Sequence, residues 1–386
     1  MSKLLQQMMG IALVLLSLAG CSTLDATPTA TAIPTPLPPT ATATPIPLPP
    51  TTTATPIPLP PTATSPPTPL STSTSTLVYG LSDEDIATLG SLEKVGDFPL
   101  YTMHYYGLYE RTASSAGAVA RMRSDAPPWA CSLFAALGDA DNPLYGRNFD
   151  WEYSPALLLF THPPDGYASV SMVDIGYMLD PAVALALTDL PLVERKPLLE
   201  LPYWPFDGMN EHGLVVGMAA VSGTDMPYDP GKETLDSLDI IREMLDHARD
   251  VGEALDIMQS YNVSMGGGPP IHYLIADSSG RAALVEFYRG DMVILPNQAP
   301  WHLATNFLRA QADESGSFTC SRYDRMSQTL TQAEGQVTTQ DAMDLLSQVA
   351  QSHTQWSVVY EMSSGDVNVV MGREYDVVHT FHMDLD

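Results

Sequence analysis

The chain is poor in basic residues and in cysteine, and each deficit argues against certain classes of partner or cofactor. It has 17 Lys and Arg against 45 Asp and Glu, a formal net charge of −28. A protein this negative repels phosphate backbones, so we expect no nucleic-acid partner. Its 9 histidines and 3 cysteines occur in no CxxC or HExxH spacing. We therefore predict neither a metal nor another cofactor.

The chain also lacks an apolar run of the ~20 residues needed to span a bilayer. Its start instead has the pattern of an export signal, with Lys3, a short apolar core and the lipobox Leu18-Ala19-Gly20-Cys21. We predict that residues 1–20 are a lipoprotein signal peptide and that Cys21 is lipidated. The protein would then be exported and lipid-anchored to the cell envelope, facing outside the cytoplasm. An ordinary secretory signal with a coincidental cysteine is the alternative.

Residues 21–76 contain few side chains able to build a core. They are rich in Pro, Thr, Ser and Ala, and an 11-residue repeat opens at Pro36, Pro47 and Pro58, each time with Pro-Leu-Pro-Pro-Thr. Such composition favours an extended polyproline II conformation. We predict a disordered stalk that holds the rest of the chain away from the membrane. A recognition site for proline-binding modules is the alternative.

Residues 77–386 are long enough for one large domain. Apolar periodicity predicts strand hairpins that alternate with helices. This favours an α+β layered domain over a parallel βαβ sheet. The predicted helices are 81–94, two within 233–261, and 340–351, and the predicted strands are 98–108, 131–137, 144–150, 214–221, 271–276, 282–288, 356–362 and 367–371.

The most informative pattern begins at Cys131. Arg147 and Asp150 follow within Gly-Arg-Asn-Phe-Asp-Trp, and Asn306 and Arg322 lie far downstream. A thiol with cations, a carboxylate and an amide donor can perform acyl transfer. A neighbouring positive charge favours the nucleophilic thiolate, and an amide N–H can bind the oxyanion that develops during attack.

This order of motifs resembles the choloylglycine hydrolase group of N-terminal nucleophile (Ntn) hydrolases. The group includes bile salt hydrolase, penicillin V acylase and, more distantly, isopenicillin N acyltransferase and acid ceramidase. The resemblance implies a four-layer αββα sandwich that cleaves non-peptide amide C–N bonds. It spans roughly residues 131–375 and is carried by Cys131 and by segments 146–151, 207–214, 304–306, 321–323 and 354–357.

The resemblance also implies roles for individual residues. Cys131 would be the nucleophile, and Asp150 would bond the terminal amine. Arg147 and Arg322 would flank the thiolate.

The remaining roles concern the oxyanion and its surroundings. Asn306 would supply the side-chain half of the oxyanion hole, and a backbone N–H near Ala220 would supply the other half. Asn210 belongs to a motif of the group, and we expect it to act structurally, behind the reacting groups.

One departure from the pattern concerns the position of the cysteine. In the simplest members it follows the initiator Met, whereas here 130 residues precede Cys131. The acyltransferase and ceramidase relatives imply self-cleavage between Ala130 and Cys131. Residues 77–130 would become an α chain, associated non-covalently with a β chain of residues 131–386. The released amine, with an ordinary pKa of ~7.7–8, would be the general base for its own thiol.

Alternative interpretations remain open at this point. Cys131 with His272 could form a papain-like thiol hydrolase, with Asn306 orienting the histidine, although Ser132 and its neighbours do not match that family's context. A Cys131–Cys320 disulfide would abolish the chemistry. A non-catalytic lipid-anchored binding protein would fit the anchor and stalk equally well.

The substrate is not fixed by the sequence beyond a small-molecule N-acyl amide. Bile salts, penicillins, N-acyl amino acids, acyl homoserine lactones and fatty-acid amides all suit the site, and either hydrolysis or acyl transfer is compatible with it. Oligomeric state and membrane leaflet are equally open. Aromatic residues could form an apolar acyl pocket or belong to the core, namely Phe149, Trp151, Phe160, Trp204 and Phe206.

Overall fold

The computed structural model of the chain describes residues 80–109, 130–151, 154–266 and 268–386. The predicted signal peptide, the lipidation site Cys21 and the stalk lie outside the described residues, as do residues 77–79 and 110–129 of the predicted α chain. Within the described ranges, no helix is both long and apolar enough to cross a membrane.

The described residues form seven α-helices and 17 β-strands. The helices are α1 (Asp83–Gly90), α2 (Pro181–Ala184), α3 (Asp239–His247), α4 (Val251–Ser260), α5 (Arg309–Ser315), α6 (Ser321–Gln332) and α7 (Thr339–Val349). Shorter 3-10 helices cover Ile175–Tyr177, Leu187–Asp189 and Leu192–Tyr203. The strands are β1 (Glu93–Lys94), β2 (Leu100–Tyr105), β3 (Ser132–Ala136), β4 (Leu144–Asp150), β5 (Ala156–Thr161), β6 (Ser169–Asp174), β7 (Asp207–Asn210), β8 (Val215–Ala220), β9 (Thr234–Asp236), β10 (Asn262–Ser264), β11 (Ile271–Ala276), β12 (Ala282–Tyr288), β13 (Asp291–Pro296), β14 (Trp301–Ala304), β15 (Thr354–Glu361), β16 (Asp366–Met371) and β17 (His379–His382).

The strands assemble into two large sheets and one small pair. The nine-stranded sheet has the order β1-β2-β5-β6-β7-β8-β11-β12-β13, and the six-stranded sheet has the order β14-β3-β4-β15-β16-β17. Neighbouring strands in both are antiparallel except β2 and β5, which are parallel. Strands β9 and β10 form the separate pair.

The sheets pack face to face, and helices cover their outer faces. Strand β3 shows this directly, because successive side chains of a strand point to opposite faces. Leu133 and Ala135 belong to the core between the sheets, whereas Phe134 and Ala136 pack in the core beneath α6 and α7. On the other side, α3 packs against β7 and β8 of the nine-stranded sheet. The predicted four-layer αββα sandwich is therefore confirmed.

A glycine lies where the two sheets face each other. A Cβ atom at Gly217 on β8 would lie 2.6 Å from the Tyr145 hydroxyl on β4. That hydroxyl donates a hydrogen bond of 2.9 Å to the Leu274 carbonyl on β11. The absent side chain therefore lets a tyrosine of one sheet reach the backbone of the other.

Two predicted helical regions contain strands as well. The predicted helix 81–94 ends at Gly90, and Glu93–Lys94 forms β1. In the region 233–261, Thr234–Asp236 pairs in parallel with β10. The break between the two helices precedes Asp250, whose side chain caps α4, so Gly252 lies inside the first turn of that helix. Strand pairing and capping by an Asp outweighed the apolar periodicity in these places.

Candidate active site

The β3–β4 hairpin brings the cysteine beside the carboxylate, as predicted. Strand β3 begins one residue after Cys131, and Ser132 pairs with Asn148 on β4. Asp150 ends β4 next to Cys131. Cys131 is 3% exposed and carries a free thiol. The alternative of a Cys131–Cys320 disulfide is therefore wrong.

The Cys131 thiol is held in its neutral form. Burial raises the pKa of Cys131, the Arg147 charge lowers it and the Asp150 charge raises it, with a net upward shift. A thiol with a raised pKa is a weak nucleophile at neutral pH, because only the thiolate attacks. The site therefore needs a base to ionise Cys131.

Asp150 has one engaged and one available carboxylate oxygen. Its Oδ1 accepts a hydrogen bond of 2.5 Å from the Thr354 hydroxyl, and its Oδ2 has no hydrogen-bond partner among the described residues. Burial raises the pKa of Asp150 to about 7, against the opposing effects of the Thr354 bond and of the Arg322 and Arg147 charges. Asp150 is therefore able to exchange a proton near neutral pH.

Arg147 lies in a buried ion pair. Its Nη1 donates to the Asp207 carboxylate and, at 2.5 Å, to the Phe206 carbonyl. Asp207 also accepts a hydrogen bond from the Tyr360 hydroxyl. Nε and Nη2 of Arg147 have no hydrogen-bond partner in the described part of the chain. Arg147 thus provides a positive charge near Cys131 that Asp207 holds in place.

Arg322, at the start of α6, joins the cysteine to the predicted oxyanion residue. Its Nη1 donates to the Cys131 carbonyl and to the Ser132 hydroxyl at 2.8 Å. Its Nη2 donates to Asn306 Oδ1 at 2.8 Å. Burial lowers the pKa of Arg322, while the charges of Asp150 and Cys131 act in the opposite direction.

Asn306 and Ala220 lie in direct contact. The Asn306 Nδ2 group donates a hydrogen bond of 2.8 Å to the Ala220 carbonyl. An amide nitrogen carries two hydrogens, so one donor remains for another acceptor. The next backbone N–H after Ala220, that of Val221, donates to the Pro270 carbonyl at 2.9 Å. The backbone half of the oxyanion hole stays a prediction.

Asn210 makes four hydrogen bonds that hold the fold together. Its Nδ2 donates to the carbonyls of Leu245, at 3.0 Å, and Ala248, at 2.7 Å. Its Oδ1 accepts from the N–H groups of His212 and Leu214, both at 3.2 Å. Asn210 thereby joins the β7–β8 turn to the end of α3.

His272 does not contact Cys131. Its Nδ1 lies 3.0 Å from Glu286 Oε1, and its Nε2 lies 2.8 Å from the Thr305 carbonyl. With both nitrogens engaged elsewhere, His272 cannot serve as the base for the cysteine. The papain-like alternative is wrong for this reason and because the fold is a four-layer sandwich.

Four of the five aromatic residues form one cluster, because Phe149 contacts Phe206 with ring centroids 5.2 Å apart and Trp151, Trp204 and Phe206 all stack on Tyr177. Their role as an acyl pocket stays a prediction. Trp204 and Phe206 are fully buried, and Phe149 stacks on Trp356 with ring centroids 4.1 Å apart. Phe160 lies in β5 of the nine-stranded sheet and stacks on His104. Trp151, which follows Asp150 directly, is half-buried and stacks on Tyr177.

Several partners of the predicted residues were not identified from the sequence, namely Ser132, Asp207, Thr354 and Tyr360. Asp207 and Thr354 do open two of the motifs on which the resemblance rests, and Ser132 is adjacent to the cysteine. Tyr360 carries no local signal.

One further group of side chains could hold a cation. Ligand atoms of Glu211, His212 and Asp386 lie within 4.8 Å of one another. Glu211 and His212 lie in the β7–β8 turn, while Asp386 comes from the far end of the sequence, so no spacing pattern reveals the group. Exposed acidic groups of this kind are common without an ion.

The chain is similar to solved structures in fold and to a family profile in sequence. Among solved structures, a mutant of conjugated bile acid hydrolase from Clostridium perfringens matches with a TM-score of 0.50 and 16% identity, over 66% of this chain and 92% of that one. The chain has an Ntn-hydrolase fold. The profile of the acyl-coenzyme A:6-aminopenicillanic acid acyl-transferase family matches residues 205–376. The predicted resemblance to this group of Ntn hydrolases is thus confirmed.

A second solved structure matches with a lower TM-score. Penicillin V acylase from Agrobacterium tumefaciens matches at 16% identity with a TM-score of 0.45, over 66% of this chain and 86% of that one. No functionally curated protein matches this sequence significantly.

Proposed function

We propose that this Ntn hydrolase is a self-processed cysteine amidohydrolase. It cleaves a linear, non-peptide amide C–N bond of a small N-acyl substrate through a thioester intermediate. The observation that carries the proposal is the convergence on Cys131 of the Arg147, Asp150 and Arg322 charges, with Asn306 bonded to Arg322. Activity at Cys131 requires that its own nitrogen first be released.

Self-cleavage creates the catalytic chain start. Cys131 Sγ attacks the Ala130 carbonyl carbon, the C–N bond breaks, and the thiol proton passes to the released nitrogen. Asp150 is suited to relay that proton, because its pKa is about 7 and its Oδ2 has no partner among the described residues. Water then hydrolyses the thioester, which frees the Ala130 carboxylate and regenerates the thiol.

The new α-amine is the base that the Cys131 thiol needs, because the thiol has a raised pKa. With an ordinary pKa of ~7.7–8 it accepts the thiol proton near neutral pH. Cys131 Sγ then attacks the substrate carbonyl. The second N–H of the Asn306 amide and a backbone N–H near Ala220 bind the oxyanion. The protonated amine passes its proton to the leaving nitrogen, and water hydrolyses the acyl thioester.

The two fragments stay together because the sheet joins them. Strand β2 of the proposed α chain pairs with β5 of the proposed β chain along Leu100–Tyr105 and Ala156–Thr161. Leu100, Tyr101 and Met103 of β2 are fully buried. Cleavage at residue 130 leaves these hydrogen bonds and contacts intact, which supports non-covalent association of the α and β chains.

The decisive experiment is mass spectrometry of purified wild type beside Cys131→Ala and Cys131→Ser. We expect two wild-type fragments, the second beginning at Cys131, and release of the amine from a panel of N-acyl amides. Cys131→Ala should remain one uncut, inactive chain. Asp324→Asn, on the exposed part of α6, is the control that should be cut and active.

Other outcomes separate the alternatives. An active protein with an intact 130–131 bond would overturn the mechanism. An uncut chain whose Cys131 resists alkylation would favour the non-catalytic binding protein. Transfer of the acyl group to an added amine in preference to water would make the enzyme an acyltransferase.

The lipid anchor is tested separately. We propose that Cys21 carries lipid and fixes the enzyme to the envelope, outside the cytoplasm, as its lipobox indicates. Cys21→Ala should move the enzyme from the membrane fraction to the soluble fraction with its activity retained. Retention of that variant in washed membranes would contradict the proposal.

A further inference from the structure

A second buried cluster lies beside the Cys131 site and has no part in the mechanism above. His272 on β11 and Glu286 on β12 are both fully buried. Their side chains meet with Nδ1 3.0 Å from Oε1. Burying an ionisable pair is costly unless its remaining hydrogen-bonding atoms are satisfied. In this cluster those atoms are satisfied by one chain segment, residues 305–310.

His272 holds the beginning of that segment. Its Nε2 lies 2.8 Å from the Thr305 carbonyl oxygen and must donate, since a carbonyl can only accept. This carbonyl belongs to the peptide unit that joins Thr305 to Asn306. The imidazole therefore fixes the orientation of the backbone from which the Asn306 side chain extends.

Glu286 holds the other end of segment 305–310. Its Oε1 accepts from the Arg309 N–H and its Oε2 from the Ala310 N–H, both at 2.8 Å. These N–H groups open α5 and have no partner within the helix. The pair thus fastens the backbone on both sides of Asn306, while Arg322 holds the Asn306 side chain at 2.8 Å.

We propose that His272 and Glu286 are positioning residues that hold Asn306 as the oxyanion donor. The inference rests on the proposed function. It deepens that function by assigning the support of the oxyanion hole to a buried pair on the nine-stranded sheet. Misplacing a catalytic group by about 1 Å can cost ~10²-fold in rate, so this support has a kinetic effect.

The test compares His272→Gln with Tyr273→Phe as a matched control. Tyr273 is the next residue of β11, is equally buried, and donates to the Ser237 carbonyl at 2.8 Å. We expect His272→Gln to lower kcat ~10- to 100-fold with KM within about twofold. Tyr273→Phe should keep kcat within about threefold, because it lies on the opposite face of the strand.

A double-mutant cycle tests whether His272 affects kcat through Asn306. Asn306→Ala alone should cost ~10²–10³-fold in kcat. If His272 acts through Asn306, adding His272→Gln to Asn306→Ala should lower kcat no further. An equal loss in both backgrounds would overturn the inference. Glu286→Gln keeps one of the two acceptor oxygens that bind α5, so it should lose less than His272→Gln, and a larger loss would also count against the inference.

Crystal structures of the variants give a readout that needs no substrate. In His272→Gln the Asn306 amide should be displaced or occupy two orientations, whereas Tyr273→Phe should leave it unchanged. An undisturbed Asn306 in His272→Gln would overturn the positioning role. If the wild type hydrolyses no N-acyl amide while Asn306 still moves in the variant, the proposed function fails and the structural role of the pair stands.

Discussion

The surroundings of Arg147 and of Arg322 differ sharply, although both arginines are buried beside Cys131. Arg147 lies on β4 and forms a fully buried ion pair with Asp207. That pair extends to the Tyr360 hydroxyl on β15. Arg322 instead donates to the uncharged oxygens of Cys131, Ser132 and Asn306.

The pKa values of the two arginines shift in opposite directions because burial, which lowers both, prevails at Arg322 but is outweighed at Arg147 by interactions led by the Asp207 charge. The Asp207 charge helps raise the pKa of Arg147 above its usual value although burial opposes it. Burial lowers the pKa of Arg322. We infer that Arg147, besides lowering the pKa of the Cys131 thiol, holds the two sheets together through Asp207, whereas Arg322 holds the Cys131 carbonyl and the Asn306 side chain. Removing the two side chains should therefore affect different properties.

The largest expected effect is on stability, from Arg147→Met. It leaves Asp207 buried without its cation, which typically costs ~3–5 kcal/mol of unfolding free energy. Urea unfolding measures this loss, and Asp207→Leu in the same chain should restore much of it. Arg249→Met is the control, because its pair with Glu253 is exposed, and exposed pairs contribute little to stability. A neutral effect of Arg147→Met would remove the distinction between the two arginines.

The next effect is on rate, from Arg322→Met. We expect kcat/KM to fall ~10²-fold, because Asn306 Oδ1 and the Cys131 carbonyl lose a shared donor. The loss of stability should be smaller than for Arg147→Met. Arg322→Lys should recover part of the rate, since it keeps the charge but not the planar fork. Wild-type kcat with a stability loss equal to that of Arg147→Met would reverse the comparison.

The dependence of the protein's stability on pH is predicted from the raised pKa of Asp150. Burial raises its pKa from 3.8 to about 7, so between these pH values the folded state binds a proton that the unfolded state has released. The unfolded state binds fewer protons there, and the contribution of Asp150 to stability falls as pH rises, by at most about 1.4 kcal/mol per unit. The uncut Cys131→Ala chain should show this dependence.

The contribution of Asp150 to this pH dependence can be measured with one variant and one control. Adding Asp150→Asn to Cys131→Ala should flatten the pH dependence of urea unfolding between about pH 4 and 7. Asp174 is also buried with a pKa raised to about 7, so Asp174→Asn should leave the Asp150 component in place. An identical pH profile with and without Asp150→Asn would show that its carboxyl is not perturbed.

The smallest expected effect comes from Thr354→Val, which removes the hydroxyl that bonds Asp150. Losing one hydrogen bond to a buried group should cost ~1–3 kcal/mol of stability. That bond lowers the pKa of Asp150, so the variant should shift the titration of Asp150 to higher pH. Carbon-13 NMR of the labelled carboxyl would measure this, and a downward shift would contradict the assignment. Ser327→Ala, on the surface of α6, is the control.

Much of the site was accessible from the sequence because its elements are local. Residues 138–143 favour a turn between two apolar strands, so the hairpin that brings Asp150 to Cys131 could be predicted. The role of His272 could not be predicted. Its distance along the chain from Cys131 suited a thiol–imidazole pair, whereas packing placed it against Glu286 and Thr305.

Sequence alone therefore determined the chemical groups, the β3–β4 hairpin and the layered α+β class, because these depend on residue type, turn composition and periodicity over short spans. Tertiary structure decided which charges meet. Asp207 reaches Arg147, and Arg322 reaches the Cys131 carbonyl, only after two sheets and a helix have packed. Such pairings between residues distant in sequence arise from the balance of burial and charge compensation in the folded core, which no local pattern encodes.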